Sequence, residues 1–284
     1  MSKKTTKKQR TSIPYDKLTL ANNFMFYKVM RNHPDACKKL LEMLLNIRIK
    51  HMTMATEETI KIDLDAKSIR LDVYVTEQKR MHDIELQVVN TQELPERARF
   101  YAATMDLDSL KSGDKYTKLR DSHVVFICMQ DVFKNGLPVN TFENICQEDG
   151  LTKLNDRSYK HFFIAPRCAK MIEAEEVRSF FEFLISNKAK TKYTTSLSNY
   201  VEDARHNTQW RLQYMTWERQ RAYDFDEGKE AGLIEGREEG AQQKAIEGAI
   251  NLLKEGDSPE KISRCIGLPL EKVLELQSQI SKKA

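Results

Sequence analysis

Apolar and polar residues alternate one for one through Ile69-Arg-Leu-Asp-Val-Tyr-Val75 and again through His82-Asp-Ile-Glu-Leu-Gln-Val88. A period of two predicts a β-strand in each stretch. With Thr76 to Met81 as the turn of a symmetric hairpin, Asp72 falls opposite Glu85. Directly opposed carboxylates destabilise a sheet, and a divalent cation between them converts that repulsion into a binding site. The competing reading is a plain solvated face, since antiparallel strands commonly turn alternating polar residues to water.

Around this pair the apolar spacing predicts helices over Leu20–Met30 and Asp35–Leu45, the second with Pro34 in its first turn. Thr59 to Asp65 alternates as a short strand, and Leu94–Leu110 reads as a helix closed by Ser112-Gly113. His123 to Met129 is a continuous apolar run, the pattern of a strand buried on both faces. Lys160–Ala165 is a further strand, followed by helices around Ala174–Ser186 and Leu197–Tyr223. The series predicts an α/β fold, a mixed central sheet flanked by helices with a helical C-terminal extension.

The C-terminal part differs in kind. Gly228, Gly232, Gly236, Gly240 and Gly248 recur at multiples of four in a Glu- and Lys-rich stretch, which predicts a weak, partly helical connector. Beyond it, Ser258-Pro259 opens and Gly267 closes a short helix, and a second follows, giving a helical hairpin. Such a hairpin serves as a DNA reader or as a packing element; Glu271 and Glu275 and the lack of arginine on its second helix leave both open. The expected divisions are a disordered basic arm (1–15), an α/β domain (16–186), a helical extension (187–226), a Gly/Glu-rich connector (227–250) and the hairpin (251–284).

Composition narrows this picture only a little. With 284 residues, 40% hydrophobic, the chain can bury a real core, and a net charge of +4 excludes a strongly basic nucleic-acid coat. Lys3, Lys4, Lys7, Lys8 and Arg10 concentrate charge in the N-terminal arm, which either attracts a polyanion or aids solubility. Five scattered cysteines without a CxxC pair point to reduced thiols rather than zinc or disulfides. With no apolar run of bilayer length and no signal-peptide core, a cytoplasmic protein is expected, without membrane contact.

The polar positions of the hairpin are Arg70, Asp72, Asp83, Glu85 and Gln87. Mg²⁺ is held by hard oxygens, one or two carboxylates and retained waters. Asp72 and Glu85 meet that minimum, with the Leu86 backbone carbonyl as a further oxygen. A metal there polarises a phosphodiester and lowers the pKa of a bound water. Gln87, on the same face, is placed to orient that water. Arg97 and Tyr101 lie four apart on one helix face. Arg97 either holds a phosphate, supported by Tyr101, or is a solvated residue of a helix packing through Phe100 and Met105. Tyr116 reads as a packing residue, and none of the histidines has ligand spacing.

Arg70-Leu-Asp-Val-Tyr followed by Asp83-Ile-Glu-Leu-Gln resembles the PD-(D/E)xK nuclease superfamily, and within it the Rpn recombination-promoting nucleases, described also as transposases of that type. The likeness continues through Asn22-Asn-Phe-Met-Phe26, Leu94 to Tyr101, Asp106, Gly113 to Tyr116, Val124 to Phe133 and the C-terminal Gly-rich stretch and hairpin. The resemblance implies Asp72 and Glu85 as metal ligands and Gln87 in the place of the motif's lysine. It implies a Mg²⁺-dependent (or Mn²⁺-dependent) DNA endonuclease linked to recombination or mobile DNA; Arg70, Arg97 and Tyr101, by their place beside the motif, are candidates to support the site. Asn23 stands where relatives often carry Asp, and the hairpin turn lacks their glycine. The alternatives are a DNA-binding protein on the nuclease fold without catalysis, or an assembly protein forming homo-oligomers through the C-terminal helices.

Overall fold

The computed structural model describes residues 13–54 and 73–281. The expected strand Thr59–Asp65, the first half of the hairpin strand, Arg70 and Asp72 lie outside these residues, as does most of the basic arm. The chain divides into two compact units, Met1–Tyr214 and Met215–Ala284.

In the first unit, α1 (Asn23–Asn32) starts where the Asn22 side chain accepts the Phe24 and Met25 amides, at 3.0 and 3.3 Å. This cap satisfies two of the donors that a helix N-terminus leaves over. Pro34 opens α2 (Pro34–Leu45), whose Leu40, Leu41 and Leu44 are buried as their spacing predicts. Edge strand β1 (Thr53–Met54) precedes the hairpin of β2 (Val73–Thr76) and β3 (Arg80–Gln87). Helix α3 (Leu94–Ser109) crosses over to β4 (Asp121–Cys128), which is followed by β5 (Val139–Phe142) and β6 (Ser158–Ile164). Then come α4 (Ala165–Met171), α5 (Glu175–Ser186) and α6 (Lys192–His206).

The six described strands form one mixed sheet in the order β1-β2-β3-β4-β6-β5. β3, β4 and β6 run parallel at its centre, and the outer pairings are antiparallel. In the hairpin Val73 pairs with Ile84, Tyr74 with Asp83, Val75 with His82 and Thr76 with Met81. This is the symmetric register expected from the sequence, with the turn tightened to Glu77–Lys79 because Thr76 and Met81 themselves pair. Helix α3 covers one sheet face through Leu94, Ala98, Tyr101, Ala102 and Met105 against Met81, Val124, Phe126, Phe162 and Ile164. Phe100, expected to pack on the sheet, is 41% exposed, and Tyr116, expected to pack, is 83% exposed. The opposite face buries Ile84, Leu86, Val125, Ile127 and Phe163, with Phe181 of α5 against Phe163. Helix α6 belongs to the same unit. The Tyr193 hydroxyl donates to the Ala36 carbonyl at 2.8 Å, and Arg205 donates twice to the Leu18 carbonyl.

Helix α7 (Thr208–Glu255) runs without a break through the glycine-rich stretch. The sequence reading expected only partial helix there. Ala, Glu, Lys, Gln and Arg, all strong helix formers, occupy most positions between the glycines and offset their cost. In the second unit α8 (Pro259–Ile266) begins at Ser258, whose hydroxyl accepts the Lys261 amide, and ends at Gly267 with φ 80°. With α9 (Leu270–Ser281) it buries Ile262, Leu268, Val273 and Leu276 around Ala249.

Candidate active site

A central parallel strand normally reads as an apolar run, yet β3 carries four buried polar side chains. His82 and Asp83 are fully buried, Glu85 is 3% exposed and Gln87 9%. The solvated-face reading of this strand is therefore overturned: α3 closes over Asp83, Glu85 and Gln87 and removes them from water. Buried charge is costly unless compensated, so the partners of these residues define the site.

Arg97 supplies the compensation. It stands on the first turns of α3, where Pro95 helps start the helix, and it reaches back over the sheet. Its Nη2 lies 3.4 Å from Glu85 Oε2, and its Nη1 donates to Gln87 Oε1 at 2.9 Å. The Tyr101 hydroxyl, one helical turn on, accepts from Arg97 Nε at 3.2 Å and from Nη2 at 2.9 Å. The guanidinium also lies 5.4 Å from the Tyr101 ring centre and 5.8 Å from that of Phe126. Burial pushes the Tyr101 phenol up to about 12; the Glu85 charge adds to the rise and the Arg97 hydrogen bond opposes it. Tyr101 is thus a neutral acceptor that fixes Arg97. The Gln87 amide nitrogen donates to the Val89 carbonyl, which turns its oxygen toward Arg97.

Asp83 completes this face. It pairs with Tyr74 across the hairpin, and its charge helps raise the phenols of both Tyr74 and Tyr101. The Tyr74 hydroxyl donates to Asp108 Oδ2 at 3.0 Å, so α3 is tied to the sheet near both ends, through Arg97 and through Asp108. The sequence reading placed Asp83 on the polar face but gave it no role. Its alternation with Glu85 was visible; its burial was not.

Of the expected site residues, the structure brings Glu85, Gln87, Arg97 and Tyr101 together, with Leu86 between the first two and its side chain buried on the other face. Asp72 and Arg70 lie outside the described residues. No three His, Cys, Asp or Glu side chains among the described residues converge as metal ligands. The donors present still fit a hard divalent cation: Glu85 and Asp83 offer carboxylate oxygens on one face. Burial pushes the neighbouring Cys128 thiol up to about 12, and a soft sulfur is a poor match for a hard cation.

The opposite face holds a cluster that residue spacing did not reveal. His82, His123 and His161, from three adjacent parallel strands, line up across the sheet. His82 Nε2 lies 2.7 Å from Glu77 Oε1, His123 Nδ1 lies 3.1 Å from His161 Nε2, and His161 Nδ1 lies 3.1 Å from Thr141 Oγ1. The His82 and His123 rings are 5.1 Å apart. Burial lowers His82 and His123 to about 3 and His161 to about 4, with like charge from Arg80 and the neighbouring imidazoles adding for the first two. All three are neutral at pH 7.

A family model described as PD-(D/E)XK nuclease family transposase matches residues 22–230. No curated protein and no solved structure matches the chain.

Proposed function

Since this chain belongs to the PD-(D/E)XK nuclease family transposases, we propose that it is a divalent-metal-dependent DNA endonuclease, using Mg²⁺ or Mn²⁺, that serves recombination or the movement of mobile DNA. Nucleases of this family typically use divalent metals, and the family implies DNA as substrate. The observation that carries the proposal is the buried group of Glu85, Gln87 and Arg97 on the α3 face of β3. A carboxylate and a carboxamide buried beneath a guanidinium are costly to desolvate, and such clusters concentrate at functional sites.

In this reading Asp72, Glu85 and the Leu86 carbonyl hold the metal, which supplies a polarised phosphodiester and a more acidic water. Gln87 orients the water. Arg97 holds the scissile phosphate, as a guanidinium fork matches phosphate oxygens. Tyr101 keeps that fork in place, and Arg70 adds phosphate contact. Neither the Gln87 amide nor the Tyr101 phenol, raised to about 12 by burial, can take the proton that the attacking water gives up, so that proton would pass to solvent or to a phosphate oxygen.

One observation favours a second reading, a DNA-binding or assembly protein without catalysis. Arg97 already partners Glu85, and a carboxylate so compensated attracts a cation less strongly. Nicking of supercoiled plasmid decides between the two. Wild type cuts with Mg²⁺ or Mn²⁺ and Asp72→Ala does not if the first reading holds; no cutting under either metal, or equal cutting by the variant, overturns it. Among the described residues no helix is long and apolar enough to cross a membrane. The buried free thiols Cys37, Cys128 and Cys168 accord with a cytoplasmic protein. The C-terminal helices are proposed as the oligomer contact, to be tested by solution mass after deletion of residues 251–284.

A further inference from the structure

Next to the candidate active site, at the carboxyl ends of parallel β3 and β4, the chain leaves a cleft of about 460 Å³. Crevices at such strand ends are where open α/β sheets take their ligands, and the volume lies within the range of small-molecule pockets. Asn90, Thr91, Gln92 and Pro95 form one wall, Val132 and Phe133 the other. None of the six is charged, so the lining offers no counterion to phosphate. It offers carboxamides, a hydroxyl and an aromatic ring.

The walls are held in place before any ligand arrives. The Asn90 amide donates to Gln130 Oε1 at 3.0 Å, tying the two loops together. Asp131 accepts from Arg167 at 2.7 and 2.9 Å and from the Lys134 amide at 2.9 Å, which fixes the loop that carries Phe133. The Phe133 ring is wedged against Phe142 and Phe162, with centres 5.2 and 5.1 Å away. The position is equally specific. Gln87 donates to the Val89 carbonyl beside Asn90, and Pro95 shares the first turns of α3 with Arg97.

We propose that this cleft is a nucleobase subsite, receiving an unpaired base of the DNA strand whose phosphate Arg97 holds. For the identity of that phosphate the proposal rests on the nuclease reading. Paired carboxamide donors and acceptors match the edge of a base, adenine best. Phe133 and Pro95 offer apolar surface to its face, and aromatic contact is the sequence-tolerant part of single-strand binding. The cleft makes single-stranded or distorted DNA the preferred substrate, because extruding a base costs least where pairing is already lost.

The test separates the base from the backbone and binding from cutting. The full-length protein, in EDTA, is titrated with a fluorescently labelled single strand of deoxyadenosines and with a strand of equal length built wholly of abasic sites. The expected result is about tenfold weaker binding of the abasic strand by wild type. In the Asn90→Ala/Gln92→Ala variant the difference shrinks while abasic affinity stays unchanged, which also shows that the variant is folded. Phe133→Ala serves as the second probe. Equal binding of the two strands by wild type, or a base preference that survives both variants, overturns the subsite. A base preference in a protein that fails to nick plasmid supports the subsite and removes the nuclease reading alone. Failure to bind either strand overturns the subsite and leaves the nuclease reading to the plasmid assay.

Discussion

Arg97 Nη1 on α3 lies 2.9 Å from Gln87 Oε1 on β3, so the helix delivers a positive charge beside the strand position proposed to stand in place of the motif's lysine. Nicking by Arg97→Ala is expected to fall by roughly 10²–10³, the usual cost of one lost anion-stabilising donor. Arg97→Lys should recover only part, because an ammonium cannot serve Gln87, Glu85 and Tyr101 at once. Single-turnover rates on one labelled duplex, with the salt dependence of binding, measure this. Unchanged rates in Arg97→Ala would remove Arg97 from the site.

A lysine at the position proposed for the motif's lysine should not help, because Arg97 already brings a cation there. Gln87→Lys sets an ammonium beside the Arg97 guanidinium, and like charges at such distance repel by at least on the order of 1–2 kcal/mol where one partner is buried and the other only part-exposed. Thermal unfolding is expected about 2–6 °C lower, without faster cutting. Gln87→Lys combined with Arg97→Gln relieves the repulsion and recovers the melting temperature. A more active, equally stable Gln87→Lys would show that the two positions do not interact.

Glu85→Gln keeps the shape of the buried side chain and removes its charge. Nicking should fall below detection, while circular dichroism remains that of wild type. Isothermal titration with Mn²⁺ should lose its heat in Glu85→Gln. Retained Mn²⁺ binding would place the metal elsewhere.

The histidine cluster predicts acid sensitivity. His82, His123 and His161 titrate lower in the folded protein (about 3, 3 and 4) than the ordinary 6.5. Below that value the unfolded chain therefore binds more protons than the folded one, and stability falls as pH drops from about 6.5 toward 4. Each histidine contributes a slope approaching about 1.4 kcal/mol per pH unit. Glu77, raised by burial, acts in the opposite sense near its own range. Urea midpoints at pH 7, 6 and 5 measure the slope, and His123→Gln should flatten it. A midpoint constant over that range would contradict the buried, neutral cluster.

The glycines of α7 are expected to divide into two kinds. A Cβ at Gly232 meets nothing within 4 Å, whereas one at Gly248 meets Ile266 Cδ1 at 3.3 Å. Gly232→Ala should stabilise the helix by up to about 1 kcal/mol, and Gly248→Ala by less, because Ile266 must give way. Helical ellipticity and thermal melts compare the two. Equal gains would mean that Gly248 is not in contact with α8.

The hairpin register was legible because it depends on local rules. Residues that alternate every second position, with a short turn between them, can pair in few ways, and the observed pairs from Val73↔Ile84 to Thr76↔Met81 follow that symmetry. The same holds for the Asn22 and Ser258 caps, Pro34 at the start of α2 and Gly267 at the end of α8. Edge strands β1 and β5 were missed, being only two and four residues long and too short to show a period.

The sequence by itself determined most of the longer elements, the α/β class and the placing of Glu85 with Gln87 on one face, since each follows from spacing along a few residues. Only the tertiary structure decided that this face is buried, that Asp83 lies within it, and that Arg97 reaches both Glu85 and Gln87. Burial requires α3 to fold back over β3, and alternation cannot tell a strand facing water from one facing a helix. His123 and His161, which meet at 3.1 Å, are 38 residues apart in the chain. Parallel pairing of distant strands brings them together, and nothing local in the sequence encodes it.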